Sequence, residues 1–205
     1  MAEDQREQIV ERAAEQFKRV GIRSVSIDDL CRDMNISKKT FYVYFRQKDD
    51  LVKAVLEHID KQIAAIMIEQ YSGKSAQEAV KLFIDGLREI KEMRNQPPFQ
   101  YDLQKYYPEI KRWHDQKTYS IVYEHILCHL QKGINEGIYR NDLDAEACSA
   151  YITLTHQQWG AEMYKAQNIS KKRLIGFFVE SLFRSILNEQ YFYLINNIKD
   201  IKYED

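Results

Sequence analysis

Apolar residues recur at intervals of three and four along almost the whole chain, the spacing that turns one face of an α-helix inward. The pattern predicts an all-α protein. Ile9, Ala13, Ala14 and Phe17 mark the inner face of a first helix that stops at Gly21, a residue suited to the left-handed position after a helix. Ser26 is placed to cap a second helix, with Ile27, Leu30, Cys31 and Met34 as its inner face. Asn35 tolerates the positive φ of a tight turn, and Ser37 is the next cap, so a third helix starts three residues after the second ends. A fourth is predicted over residues 48–70, on Val52, Val55, Leu56, Ile59, Ile63, Ile66 and Met67. Ser75 with Glu78 is a capping-box pattern that opens a fifth, predicted to end before Pro97-Pro98. Pro108 suits the first position of a long helix reaching Gly137, and two more follow over about 144–165 and 170–190, before an aromatic tail.

The 205 residues, 44% of them apolar, allow a sizeable core in one domain or two small helical ones. The first residues, MAEDQREQIVERAAEQF, are charged throughout, and no later stretch holds eighteen uncharged apolar residues. A cytoplasmic protein without a membrane partner is therefore expected. Cys31, Cys128 and Cys148 are odd in number and lack paired spacing, which argues for small core residues rather than disulfides or a zinc finger. The net charge of −1 conceals a local asymmetry: residues 32–48 hold Arg32, Lys38, Lys39, Arg46 and Lys48 against Asp33 alone.

That basic stretch coincides with the second and third helices, two short elements joined by a tight turn, the layout of a helix-turn-helix with its recognition helix in the major groove. At about 100° per residue from Phe41 as the buried reference, Tyr44 and Phe45 turn inward, while Lys38, Lys39, Tyr42 and Val43 point elsewhere. Side-chain chemistry then assigns Lys38 and Lys39 to base edges or flanking phosphates, and Thr40, Tyr42 and Tyr44 to the DNA backbone. Ser26 and Lys48 are candidate phosphate anchors at two other helix starts.

The run IVERAAEQFKRVGIRSVSIDDLCRDMNISKKTFYVYFRQKDDLVKAVL resembles the DNA-binding domain of TetR-family repressors, over about residues 9–56. In that pattern Ser26, Lys38, Lys39, Thr40, Tyr42, Tyr44 and Lys48 occupy positions that commonly contact DNA, and Asn35 stands where a turn glycine is usual. The resemblance implies a reading head over residues 1–47 and a helical effector-binding and dimerisation domain over 48–205, with helix 48–70 connecting them. It further implies that the last two long helices pair with their symmetry mates, for which Tyr151, Leu154, Phe177, Phe178, Leu182 and Ile186 supply apolar surface. The partners expected are a double-stranded DNA operator, a second copy of the chain and a small-molecule effector.

Between Phe99 and Tyr164 the chain is rich in aromatic residues, the material of a pocket for a flat or apolar effector and also of a solid core. Such stripes are more often plain core; Phe99, Tyr106, Trp113, Tyr123, His156 and Trp159 are the candidate lining set if a cavity forms. His125 and His129 have the i, i+4 spacing of metal ligands, with Cys128 between them, but no third ligand is placed nearby in sequence, so neither metal nor cofactor is expected. No nucleophile elbow, phosphate loop or dinucleotide fingerprint occurs, which argues against an enzyme. The alternatives are a DNA-binding regulator that answers to a protein partner or to no ligand, and a helical small-molecule enzyme.

Overall fold

The computed structural model describes residues 2–88, 97–162, 169–196 and 198, and their side chains except those of residues 2, 3, 87, 88, 156–162 and 171. Its helices are α1 (Ala2–Val20), α2 (Ile27–Asp33), α3 (Lys38–Tyr44), α4 (Lys48–Tyr71), α5 (Ala76–Arg88), α6 (Pro98–Tyr106), α7 (Pro108–Asn135), α8 (Ala145–Glu162) and α9 (Lys171–Ile186). A 3₁₀ helix over Glu189–Ile195 follows. Among the described residues the extended pairing is a single bridge between Tyr139 and Leu187, and no helix is long and apolar enough to cross a membrane.

The helix boundaries follow local chemistry. Ser26 and Ser37 accept from the amides of Asp29 and Thr40, each at 3.0 Å, which satisfies donors that the first turn leaves without intrahelical partners. Ser75 and Glu78 form the reciprocal box, 3.2 and 2.8 Å. The predicted end of α5 before Pro97-Pro98 lies outside the described residues, but Pro98 starts α6, a helix that periodicity alone did not separate. The missing N–H costs a helix nothing at its first position. At the other end, α9 stops at Ile186 rather than near residue 190. There Leu187 leaves helical geometry to bridge Tyr139, and the Asn188 side-chain amide donates to the carbonyls of Gly137 and Tyr139 at 2.7 and 3.1 Å.

The chain packs into two compact units, residues 1–70 with 96–117, and residues 71–95 with 118–205. This division by packing cuts the chain differently from a functional boundary at residue 47, because α4 and α6 both complete the first core. Ile9, Ala13 and Phe17 of α1, Leu30 of α2, Phe41 of α3, Val52 and Val55 of α4 and Phe99 of α6 meet there, with the Phe17 and Phe99 rings 6.5 Å apart. Beyond Ile59 the predicted inner face of α4 is not covered: Ile63, Ile66 and Met67 are exposed. The second core gathers Val80 and Ile84 of α5, Leu130 of α7, Tyr139, and Val179, Phe183 and Ile186 of α9.

The turn between α2 and α3 is a Schellman motif. Asn35 at φ +53 donates its N–H to the Arg32 carbonyl at 3.2 Å, and Ile36 donates to that of Cys31 at 3.0 Å. Asn35→Gly should stay within about 0.5 kcal/mol of the parent, whereas Asn35→Val should lose about 1–3 kcal/mol, because a β-branched residue is strained in the left-handed region. Urea unfolding of both variants checks this, and equal midpoints would refute it.

Candidate nucleic-acid interface

Helix α3 is held by its inner residues and presents the remainder. Phe41 is fully buried and packs its ring 5.4 Å from that of Phe45, while Lys38, Lys39, Tyr42 and Val43 are exposed, as rotation about the helix requires. Val43, 72% exposed, is an apolar tip on an otherwise polar surface, with the chemistry to touch a thymine methyl. The sequence marked it only as outward-facing. Tyr42, half exposed, lies edge-on to Phe41 with ring centroids 5.5 Å apart, which limits its rotamers without engaging its hydroxyl.

The charges around α3 are not equally free. Lys38 pairs with Asp28 at 2.7 Å, a contact that raises its pKa, and Arg32 reaches Asp29 at 3.4 Å. Asp33 sits at the C-terminus of α2, where a negative charge opposes the helix dipole; Arg12 of α1 clamps it through Nε and through Nη2 at 3.0 Å, and Gln16 adds a third donor at 2.9 Å. The Arg12 contacts hold the Asp33 carboxyl below the ordinary carboxylate range, so the clamp is present at neutral pH and is lost as pH falls through that lowered pKa. Once these pairs are set aside, Lys39 and Arg46 are cations without an ion-pair partner among the described residues. The local positive charge is therefore concentrated at the two ends of α3.

Besides Lys38, four of the candidate DNA contacts also have intramolecular roles. Thr40 shares a 2.8 Å hydrogen bond with Ser37, and the half-buried Tyr44 donates its hydroxyl to Gln5 at 3.1 Å. Lys48, the first residue of α4, donates to the carbonyls of Ile22 and Val25 at 2.6 and 2.5 Å and lies over the Phe17 ring. Burial pushes its pKa down, and two of its three protons already serve the α1–α2 turn. Ser26, in the same region, is exposed and shares its hydroxyl with the Asp29 carboxylate at 2.5 Å.

Helix α6 reaches the same turn. The Asp102 carboxylate, almost fully buried, accepts from the Arg23 amide at 2.7 Å. The Arg23 guanidinium stacks 4.6 Å over the Tyr106 ring, and hydrogen bonds from Arg23 and then Lys105 lower the Tyr106 pKa. Nothing in the spacing of the sequence announced Asp102. A lone carboxylate between aromatic residues reads as solvated until its amide partner, 79 residues away, is known.

The candidate effector set is divided between the two units. Phe99 belongs to the first core, Tyr106 covers Arg23, and Trp113 packs beside Lys53 and Lys117 in the same unit. Tyr123 lies in the second unit, stacked on Tyr119 at 6.2 Å, and its carbonyl accepts from Ser149 at 2.7 Å. His156 and Trp159 lie in α8, and their side chains fall outside the described residues. Of the histidine pair on α7, His129 shares a hydrogen bond with the buried Tyr139 hydroxyl at 2.7 Å.

Of the candidate dimer residues, Tyr151, Leu154 and Phe177 are exposed, and Phe178, half-buried, stacks on Tyr151 at 6.3 Å. Leu182 is half-buried beside them. Ile186 is a correction: at 3% exposure it is core, because Ile175, Val179, Phe183 and Ile186 form the inner stripe of α9. It cannot contribute apolar area to a partner.

A capped two-helix head with an anchored recognition helix and an exposed basic and polar outer face defines a helix-turn-helix DNA-binding protein. Residues 9–55 match the sequence profile of the bacterial regulatory proteins, tetR family, so this segment is similar to the DNA-binding part of those transcriptional regulators. The chain is similar to an uncharacterized HTH-type transcriptional regulator, YfiR, of Bacillus subtilis, at 23% identity over 137 residues, or 65% of this chain and 67% of that protein. In fold it resembles a TetR-family transcriptional regulator from Pectobacterium atrosepticum, with TM-score 0.67, 18% identity, and 92% and 96% of the two chains covered. It also resembles a gamma-butyrolactone receptor described as ArpA-like, with TM-score 0.54, 16% identity, and 97% of each chain covered.

Proposed function

We propose that the chain is a homodimeric repressor that binds a palindromic operator and is released by a small, largely apolar or aromatic effector. The observation that carries the DNA-binding part is the outer face of α3: Lys39, Tyr42 and Val43 stand free on a helix anchored by Phe41. Lys39 and Lys38 would read base edges or adjacent phosphates, Val43 a thymine methyl, and Tyr42, Thr40 and Tyr44 the backbone, with Ser26 and the remaining proton of Lys48 on flanking phosphates. Residues 1–47 would act as the reading head and 48–205 as the effector-binding and dimerisation part. Two heads in a dimer would meet half-sites about 34 Å apart, one turn of DNA.

The exposed Tyr151, Leu154 and Phe177, with Phe178 and Leu182 beside them, supply the apolar surface for self-association through α8 and α9. For the effector, Tyr123, His156 and Trp159 are the residues of the aromatic set not committed to the first unit, and γ-butyrolactones are the first compounds to test because one fold neighbour is a receptor for them. An effector would act by fitting the released state better than the bound one.

Fluorescence anisotropy on a duplex from upstream of the chain's own gene tests the reading. A sequence-specific complex is expected at moderate salt; Lys39→Ala and Tyr42→Ala should each weaken it about tenfold. A lysine that contacts a phosphate should also lower the salt slope by about one. Absence of a specific complex, or unchanged binding in both variants, would refute the assignment. Release of the duplex by a γ-butyrolactone or aromatic compound would support the effector part.

A further inference from the structure

Outside the DNA-binding face, α1 and α4 bring together a set of side chains that the function proposed above does not use. Glu7 and Glu11 lie one turn apart on α1, and His58 faces them from α4; one ligand atom from each falls within 4.8 Å of the other two. His58 is nearly buried and turns Nδ1 to Glu7 Oε1 at 2.8 Å, while Glu11 stands exposed at the mouth of a cleft of about 180 Å³ that both it and His58 line.

We propose that Glu7, Glu11 and His58 form a binding site for a first-row divalent transition-metal ion of the Zn²⁺ type, with water as the fourth ligand. One imidazole and two carboxylates are a donor set for such an ion, and a catalytic-type or regulatory site keeps its fourth position open. Ligands about 2.1 Å from a tetrahedral ion sit roughly 3.4 Å apart, so closing from the present spacing needs side-chain rotations of about 1 Å and no backbone movement. The cleft admits the water.

Charge gives a separate argument for a cation. Like charges at i, i+4 repel on a helix surface, yet among the described residues neither Glu7 nor Glu11 has a lysine or arginine ion-pair partner. The charge beside His58 is thus a dicarboxylate without a paired cation, although Lys18 and Glu15 also line the cleft. On binding, the ion replaces the proton shared by His58 Nδ1 and Glu7 Oε1, and that proton leaves to solvent. Because α1 scaffolds the reading head and α4 leads away from it, the ion would cross-link the two helices within one unit.

Titration of the untagged full-length chain with ZnCl2 by calorimetry tests this, with Co²⁺ absorption reporting the geometry. One ion per protomer is expected, with a rise in thermal midpoint on saturation. Glu11→Gln, exposed and nearly isosteric, should raise Kd at least about tenfold without disturbing the fold, and His58→Gln should do the same. His125→Gln should leave binding unchanged. No binding by the parent chain, or binding that both Glu11→Gln and His58→Gln leave intact, would overturn the site.

Discussion

Gly21→Ala is expected to destabilise the first unit by about 1.5–4.5 kcal/mol, from two additive sources. The residue ends α1 at φ +90, a region that costs a non-glycine residue about 1–3 kcal/mol. An added Cβ would also sit 2.6 Å from Asp102 Oδ2 and force away the carboxylate that caps the Arg23 amide. Losing this part-buried hydrogen bond costs about 0.5–1.5 kcal/mol. Gly73→Ala is the matched comparison, since Gly73 has φ +73 and an added methyl there would meet nothing within 4 Å, leaving only the conformational part. Urea unfolding followed by circular dichroism separates the two. Equal losses would mean that the close approach of α6 contributes nothing.

Phe41→Ala should have the largest effect on the recognition helix, about 3–5 kcal/mol, because it removes the one fully buried side chain of a helix only seven residues long. A helix of two turns has no stability of its own and exists through such anchors. Val43→Ala, close to that anchor in sequence yet facing outward, should leave the unfolding midpoint within the error of a surface change. Its cost should fall on the operator instead, about threefold to tenfold in Kd, the worth of one or two lost methyl contacts. Chemical unfolding and anisotropy titration on both variants decide this. If Val43→Ala binds like the parent, no base methyl touches that position.

The features legible in the sequence were those with short-range causes. Gly21, Ser26, Asn35, Ser37, Ser75 and Gly137 each fix a helix end through their own backbone or side chain, and each lies where local chemistry put it. The inner stripe of α1 and the anchor Phe41 follow from a helical period and one reference residue. What could not be read depended on partners far along the chain. The Lys48 ammonium turns to carbonyls 26 and 23 residues away, and Asp102 to an amide 79 residues away. Phe99 and Trp113 read as equally suited to a cavity wall or a core, and only the position of α6 and the start of α7 beside α1 and α4 assigns them to packing. Ile186 failed for a related reason: α9 has apolar residues on two faces, and spacing alone does not say which face the rest of the chain covers.

The discontinuity of the first unit has a consequence for synthesis. Residues 1–70 emerge early, but Phe99, Leu103 and Asp102, which cover Phe17 and hold the α1–α2 turn, follow about thirty residues later. At a few to about twenty residues per second, the nascent head therefore waits seconds for α6, with part of its apolar face uncovered. The helix-turn-helix is in this sense not a portable module: a fragment cut at residue 70 would carry every side chain proposed to face DNA and still lack a wall of its own core.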